Sequence, residues 1–196
     1  MNSDKKIWDD FRKGKDQALS DIYNKYIQLL FRFGKKFSND DELIKDTIQD
    51  LFFDLIRTRK KLGNTDNICF YLMASFRRKL VKNLSHINKS VDQYSGNEKE
   101  PEVNIVYSIE TELIEKEELT EREKAVKEAL AELSPGQREI LFYRFTCNFD
   151  YGQICEIMKI KYDSARKQVS RALKSMKKAL ADSEIILFFL KFSKKY

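Results

Sequence analysis

One histidine, His86, stands in 196 residues, and the three cysteines, Cys69, Cys147 and Cys155, are an odd number with no CxxC spacing. A structural zinc site or a disulfide framework needs more ligands than these. The cysteines therefore read as small apolar core residues. The sequence has no nucleophile motif and no glycine loop to cradle a phosphate, which leaves little material for catalysis. No enzyme activity, metal or cofactor is expected. No run of about 18 apolar residues is available to span a bilayer, and the opening MNSDKKIWDD lacks the apolar centre of a signal peptide. A cytoplasmic chain with no membrane insertion is expected. Two prolines and six glycines provide few helix breakers, which favours an all-α protein.

What is present is charge and helical periodicity. Residues are 42% hydrophobic and 35% charged, and 37 Lys and Arg against 31 Asp and Glu give a net charge of +6, which suits a polyanionic partner if the cations are clustered. Leu19, Ile22, Tyr23, Tyr26, Ile27 and Leu30 recur at i, i+3, i+4, i+7, i+8 and i+11, one face of a helix. Ile44, Ile48, Leu51, Phe52 and Leu55 form a second stripe, preceded by cap candidates in Ser38-Asn39-Asp40-Asp41. Lys60 to Asn67 contains Gly63-Asn64 and reads as a loop. A third helix is expected from about Ile68 to Asn83, on Ile68, Leu72, Phe76 and Leu80.

The pattern dissolves after His86. Between Ser95 and Glu123, ten glutamates stand against Lys99, Lys116 and Arg122, a net of −7. A second domain then opens, with Ser134-Pro135-Gly136-Gln137 as a capping box that has proline in the first turn. A helix is expected from Pro135 to about Phe145, a short helix over Tyr151 to Met158, a turn holding Ile160, and a longer helix from Ser164, capped by Asp163, to about Leu180. The expected organisation is thus two small helical domains, 1–87 and 121–180, joined by an acidic flexible linker, 88–120, and followed by an apolar tail, 181–196.

Short helix, brief turn and longer helix is the helix-turn-helix layout, which presents its second helix to a DNA major groove. With Ala165, Val169, Ala172, Leu173 and Met176 assigned inward, Ser164, Arg166, Lys167, Gln168, Ser170, Arg171 and Lys174 are left facing outward. Such side chains bind phosphates and read bases. From Arg138 to Leu180, ten Lys and Arg stand against Glu139, Asp150, Glu156 and Asp163, a net of +6.

Two further constellations lie in the first domain. Asp46, Gln49, Asp50 and Phe53 line up at i, i+3, i+4 and i+7, opposite the core stripe of their helix. An outward phenylalanine among carboxylates suits protein docking, although acidic faces also serve simply to solvate. Arg77, Arg78, Lys79, Lys82 and Lys89 are interleaved with Phe70, Tyr71 and Phe76. Either these aromatics stack on unpaired bases beside phosphate-binding cations, or they fill a core under a solvated basic face.

The order of these fragments from Phe11 to Lys178 resembles the extracytoplasmic-function sigma factors, the two-domain members of the sigma-70 family. Phe11-Arg12-Lys13-Gly14 with Ala18-Leu19, Tyr23 and Tyr26 is similar to that family's opening helix. Asp46-Thr47-Ile48-Gln49-Asp50-Leu51-Phe52 resembles its polymerase-clamp contact, and Tyr71-Leu72 with the basic residues after it resembles the promoter-melting helix. Leu133-Ser134-Pro135, Gln137-Arg138-Glu139, Tyr151, Ile154-Cys155-Glu156-Ile157-Met158 and Ser170-Arg171-Ala172-Leu173 resemble the second sigma domain.

The resemblance implies a sigma factor that binds core RNA polymerase and directs promoter-specific initiation. Its first domain would meet the polymerase clamp through Asp46, Gln49, Asp50 and Phe53. The same domain would meet the −10 element through Asn64, Tyr71, Arg77, Arg78 and Lys82, with a flipped base held in the loop Lys61 to Asn67. Its second domain would read the −35 element through Arg166, Lys167, Gln168 and Arg171. The acidic linker would imitate a nucleic-acid strand in polymerase channels. An anti-sigma factor is a further expected partner. The competing reading is a helix-turn-helix transcription regulator whose N-terminal bundle senses or dimerises. A recombinase or nuclease would need a serine, tyrosine or metal-carboxylate centre, and none is evident.

Overall fold

The computed structural model describes residues 3–91, 126 and 128–179, and the chain divides into two compact units, Met1–Ile105 and Val106–Tyr196. Every regular element among the described residues is helical.

The first unit holds α1 (Ser3–Arg12), α2 (Asp16–Lys35), α3 (Asp41–Thr58) with a 3-10 turn at Arg59–Lys61, and α4 (Ile68–Val91). The periodicity that begins at Leu19 does not reveal α1. Its inner face is only Ile7, Trp8 and Phe11 amid charge, too short a stripe to stand out, yet Trp8 and Phe11 are buried. Gly14 takes a left-handed φ of 88°, a conformation glycine adopts without a Cβ clash, and this lets the chain reverse from α1 into α2 within three residues. Asp40 caps α3 as expected, its carboxylate accepting from the Leu43 N–H at 3.0 Å.

Leu30 and Phe33 of α2, Ile44 and Leu55 of α3, and Leu72, Phe76 and Leu80 of α4 close the core. The rings of Phe33 and Phe76 meet edge-on with centroids 6.2 Å apart. Tyr23, expected on the core stripe, sits at its margin, 45% exposed, with its ring edge against Phe52. Buried Thr47 donates to the Leu43 carbonyl at 2.7 Å and accepts from Asn83 Nδ2 at 3.0 Å, which joins α3 to α4.

Asp4 ties three helices together. Its carboxylate accepts from Lys25 Nζ at 2.8 Å, from the Tyr26 hydroxyl at 3.0 Å and from the Ile68 N–H at 3.2 Å, so α1 supplies the cap of α4. Burial, reinforced by this carboxylate, pushes the Tyr26 phenol well above its ordinary 10.0 and keeps it a donor.

Helix α4 continues to Val91, two turns past the expected Asn83. No glycine or proline stands between Asn83 and Val91 to stop it, so the first four residues assigned to the linker are helical. The remainder of that acidic segment and the apolar tail 181–196 lie outside the described residues.

In the second unit residues 128–131 are helical and lead to α5 (Pro135–Leu141). The Ser134 box is formed as expected: the Gln137 N–H donates to Ser134 Oγ at 3.3 Å, and Gln137 Oε1 accepts from the Ser134 N–H at 2.9 Å. The helix does not run regularly to Phe145. It loosens into a π turn at Phe142–Thr146, where the Cys147 N–H reaches back five residues to the Phe142 carbonyl at 3.1 Å. Asn148 then turns left-handed at φ 54°. A second capping box, Asp150 with Gln153, starts α6 (Tyr151–Met158).

Lys159 takes the left-handed conformation after α6, and α7 (Tyr162–Ala179) follows. It begins two residues ahead of the expected Ser164, because the Lys161 carbonyl already accepts the Ala165 N–H at 3.0 Å. Asp163 is thus not the cap but an acid within the first turn, where the helix dipole favours it. Ile140, Tyr143, Phe149, Ile154, Ala165, Ala172 and Met176 form the core. The Tyr143 hydroxyl donates to buried Glu139 at 2.9 Å. Contrary to the expectation of core cysteines, all three are only half-buried, and they are free thiols.

Two stability measurements test this packing. A Cβ on Gly34 would stand 2.6 Å from Ile44 Cγ2, and Ile44 is fully buried. Overpacking of about 1–3 kcal/mol should exceed the roughly 1 kcal/mol that alanine gains in helix propensity. Gly34→Ala should therefore lower the thermal midpoint, and an unchanged or raised midpoint contradicts the close α2–α3 approach. The second concerns Asp54, whose carboxylate accepts from Lys79 Nζ and Arg57 Nη2, both at 2.6 Å. The hydrogen bond from Lys79, then that from Arg57, holds its pKa below the ordinary 3.8. A carboxylate depressed in the fold stabilises above its unfolded pKa and loses that contribution as pH falls through the folded value. Asp54→Asn should thus lower the midpoint at neutral pH, and the gap from the parent chain should close in acid well below 3.8; a gap that persists there removes ionic pairing as its cause.

Candidate nucleic-acid interface and docking face

Helix α7 is divided lengthwise. Ala165, Val169, Ala172 and Met176, at i, i+4, i+7 and i+11, are buried, and the two alanines let α7 lie close to its neighbours. Ser164, Arg166, Lys167, Ser170, Arg171 and Lys174 are all exposed, which brings together six of the seven side chains expected there. Lys177 and Lys178 are exposed as well and continue the basic strip by another turn. The same count of lysines and arginines that located the strip contained them.

Gln168 departs from the expected outward position. It is half-buried, and its Oε1 lies 4.0 Å from where a Cβ on Gly136 would stand, at the first turn of α5. Position 168 lies three residues after Ala165 and four before Ala172, so it falls on the edge of the buried stripe.

The turn into α7 is built by backbone geometry. Lys159 is left-handed at φ 54°, ψ 42°, and the Ile160 N–H donates to the Cys155 carbonyl at 3.2 Å. Ile160 is half-buried rather than buried. Tyr162, the first residue of α7, is 54% exposed, and its ring stands edge-on to Tyr151, the first residue of α6, with centroids 5.6 Å apart. The Arg144 guanidinium lies 5.3 Å from the centre of the Tyr151 ring, and Arg144 Nη1 donates to the Phe149 carbonyl at 2.9 Å.

In the first unit, α3 brings its four expected residues to one exposed face. Asp46, Gln49 and Asp50 are exposed, and Phe53 is 65% exposed. Ile56, three residues beyond Phe53 and 44% exposed, extends the apolar end of this face. Its place in the i, i+3 series was the signal for it.

The residues expected at a −10 element are less uniform. Tyr71, Arg78 and Lys82 fall at i, i+7 and i+11 on one strip of α4, with Arg77 a quarter turn away. Arg78 and Lys82 are exposed, whereas Arg77 and Tyr71 are half-buried. Tyr71 packs on Trp8 with ring centroids 5.0 Å apart, and Phe76 is fully buried. The core-filling alternative therefore holds for Phe76 and in part for Tyr71. Lys79, counted with this basic group, is engaged with Asp54.

The loop before α4 is anchored from α1. Trp8 Nε1 donates to the Gly63 carbonyl at 2.9 Å, and Arg12 donates to the Asn64 side chain. Asn67 accepts from the Phe70 N–H at 2.9 Å and so caps α4 together with Asp4. Lys61, Gly63, Asn64 and Asp66 remain exposed on this fixed loop. Among the described residues, no cluster of His, Cys, Asp and Glu is arranged to hold a metal ion, and no helix is long and apolar enough to cross a membrane.

No curated protein matches the chain. The solved structure of CnrH in complex with the cytosolic domain of CnrY is similar in fold, with a TM-score of 0.58 at 14% sequence identity, covering 92% of this chain and 99% of that one. Residues 118–176, which include all of α5 and α6 and most of α7, match the family described as sigma-70, region 4. The helix-turn-helix of α6 and α7 thus lies within a segment similar to sigma-70 region 4.

Proposed function

We propose that the chain is a sigma factor that binds core RNA polymerase and directs promoter-specific, DNA-templated transcription initiation. The observation that carries this reading is the exposed basic strip of α7, set on a helix-turn-helix within the segment that matches sigma-70 region 4. The strip meets the −35 element: Arg166, Lys167, Arg171 and Lys174 supply phosphate and base contacts, joined by Ser164, Ser170 and, from the edge of the buried stripe, Gln168.

The first unit supplies the polymerase contact through Asp46, Gln49, Asp50 and Phe53 on α3. It supplies the −10 contact through Asn64, Tyr71, Arg77, Arg78 and Lys82, with an unpaired base received at the loop 61–67. This assignment is supported by the exposed acidic and apolar face of α3 and by the anchored loop that leads into α4, the helix that carries Arg78 and Lys82. The domains are 1–87 and 121–180, the first continued to Val91 by the end of α4, with the acidic stretch that follows it as a tether. Two tethered DNA contacts can each be weak and still select correctly spaced elements. A protein regulator of the anti-sigma type is a further proposed partner, supported by the complex in which the similar CnrH was solved. The protein acts in the cytoplasm.

In a purified system the chain and core polymerase alone should start discrete transcripts from promoter-bearing DNA. Transcripts absent from every candidate promoter, together with no co-sedimentation with core enzyme, would favour the free-standing regulator instead. The α3 face has its own test. Asp50→Lys combined with Phe53→Ala should weaken binding to core polymerase by about 2 kcal/mol, roughly thirtyfold. Both side chains are exposed, so helicity and thermal midpoint should stay as in the parent. Unchanged affinity would remove this face from the interface.

A further inference from the structure

Among the described residues, the large apolar side chains left exposed are Tyr23, Phe53, Ile56 and Tyr162. Phe53 and Ile56 belong to the α3 face, and Tyr23 leans on Phe52. Tyr162 is unexplained by any of this. It breaks the apolar pattern between the two helices of the helix-turn-helix and lies at the start of α7, ahead of the basic strip.

Its ring is held by a short relay. Arg144 is fixed at the Phe149 carbonyl and lies against the Tyr151 ring, and Tyr151 meets Tyr162 edge-on. The contact joins the first residues of α6 and α7. In a docked helix-turn-helix the first helix crosses the DNA backbone while the N-terminal residues of the second enter the groove. A side chain braced against the first helix and standing at the mouth of the second is therefore at the groove edge, where phosphates lie. Lys161, exposed beside it, adds positive potential. A phenol offers this location one uncharged donor, and tyrosine hydroxyls are among the groups that bind phosphate oxygens.

We propose that Tyr162 is a DNA-backbone contact, its hydroxyl donating to a phosphate oxygen at the edge of the groove read by α7, with Tyr151 and Arg144 as its positioning residues. The proposal rests on the assignment of α7 to DNA and adds to it a contact of a different chemical kind. A neutral donor displaces no condensed counterion, so its loss lowers affinity without changing the salt dependence. Loss of an arginine or lysine contact changes both.

The test uses the full chain and a fluorescein-labelled duplex of mixed sequence, followed by anisotropy over a series of salt concentrations, with and without core polymerase. Tyr162→Phe keeps the ring and its contact with Tyr151. It should weaken binding about fivefold, the measure of one neutral hydrogen bond, and leave the slope of log affinity against log salt at the parent value. Arg171→Ala serves as the charged comparison and should reduce that slope by about one. Sequences selected from a randomised duplex pool should be the same for Tyr162→Phe and the parent. Parent-like affinity for Tyr162→Phe overturns the proposal, as does a preference altered at a single base pair, which would make Tyr162 a base reader. Should the parent chain itself fail to bind duplex under either condition, the assignment of α7 to DNA falls, and this inference with it.

Discussion

Helix α7 carries Arg166, Lys167, Arg171, Lys174, Lys177 and Lys178 with no acid after Asp163, and a helix so charged repels itself. Lys167 with Arg171 and Lys174 with Lys178 are like-charged pairs at i, i+4, each unfavourable by about 0.2–0.5 kcal/mol. The opposing term is the buried stripe, in which Val169 and Met176 each contribute roughly 1.5–3 kcal/mol by leaving water. Packing exceeds the repulsion, so the strip stays helical and its cations stay in register before any partner arrives. A polyanion laid along the strip relieves the repulsion that remains. The small alanines inside α7 and the cations outside it are thus two sides of one requirement.

In the first unit the charges are sorted by helix face instead. The outward face of α3 presents Asp46 and Asp50, whereas α4 presents Arg78 and Lys82. The seam between them is where opposite signs meet, at Asp54 and Lys79. Cations paired at that seam are not available to a nucleic acid, which leaves the strip at Arg78 and Lys82 as the exposed basic surface of α4. Asp4 and Trp8 act at the N-terminal end of α4, where the same short helix caps α4 and holds the carbonyl of Gly63. The loop that follows α3 is consequently an extension of the bundle, braced at several points.

Periodicity made the two candidate functional helices legible, since both α3 and α7 pair a long apolar stripe with a polar face of distinct character. It failed where stability comes from something else. Helix α1 hid behind its charge, because one buried tryptophan, one phenylalanine and the Asp4 carboxylate anchor it where α2 and α3 each bury six positions. The π turn at Phe142–Thr146 has no signature of its own; it arises because the segment must reach the left-handed Asn148 and still bury Phe142 and Tyr143. Gln168 was assigned by type as a polar, outward residue, whereas its angular position on the edge of the stripe turned it toward Gly136. Tyr162 falls between the two helices that periodicity predicts, and its neighbour Tyr151 is eleven residues away in sequence and close only in space.

The left-handed residues on either side of α6 bring these features together. Asn148 and Lys159 both adopt φ 54°, a conformation that asparagine visits readily but that is unfavourable for lysine by roughly 1–2 kcal/mol. Neither is glycine, so neither turn gains freedom to hinge. The Asp150–Gln153 box on one side and the Cys155 carbonyl on the other hold the strained backbone in place. Such strain persists where the surroundings over-determine a geometry. Here the geometry is the angle at which α6 meets α7, and with it the position of Tyr151 against Tyr162. The relation of the exposed cations of α7 to the aromatic pair is therefore set by the fold itself, so a partner that met them would order little backbone and lose less of the interaction energy as conformational entropy.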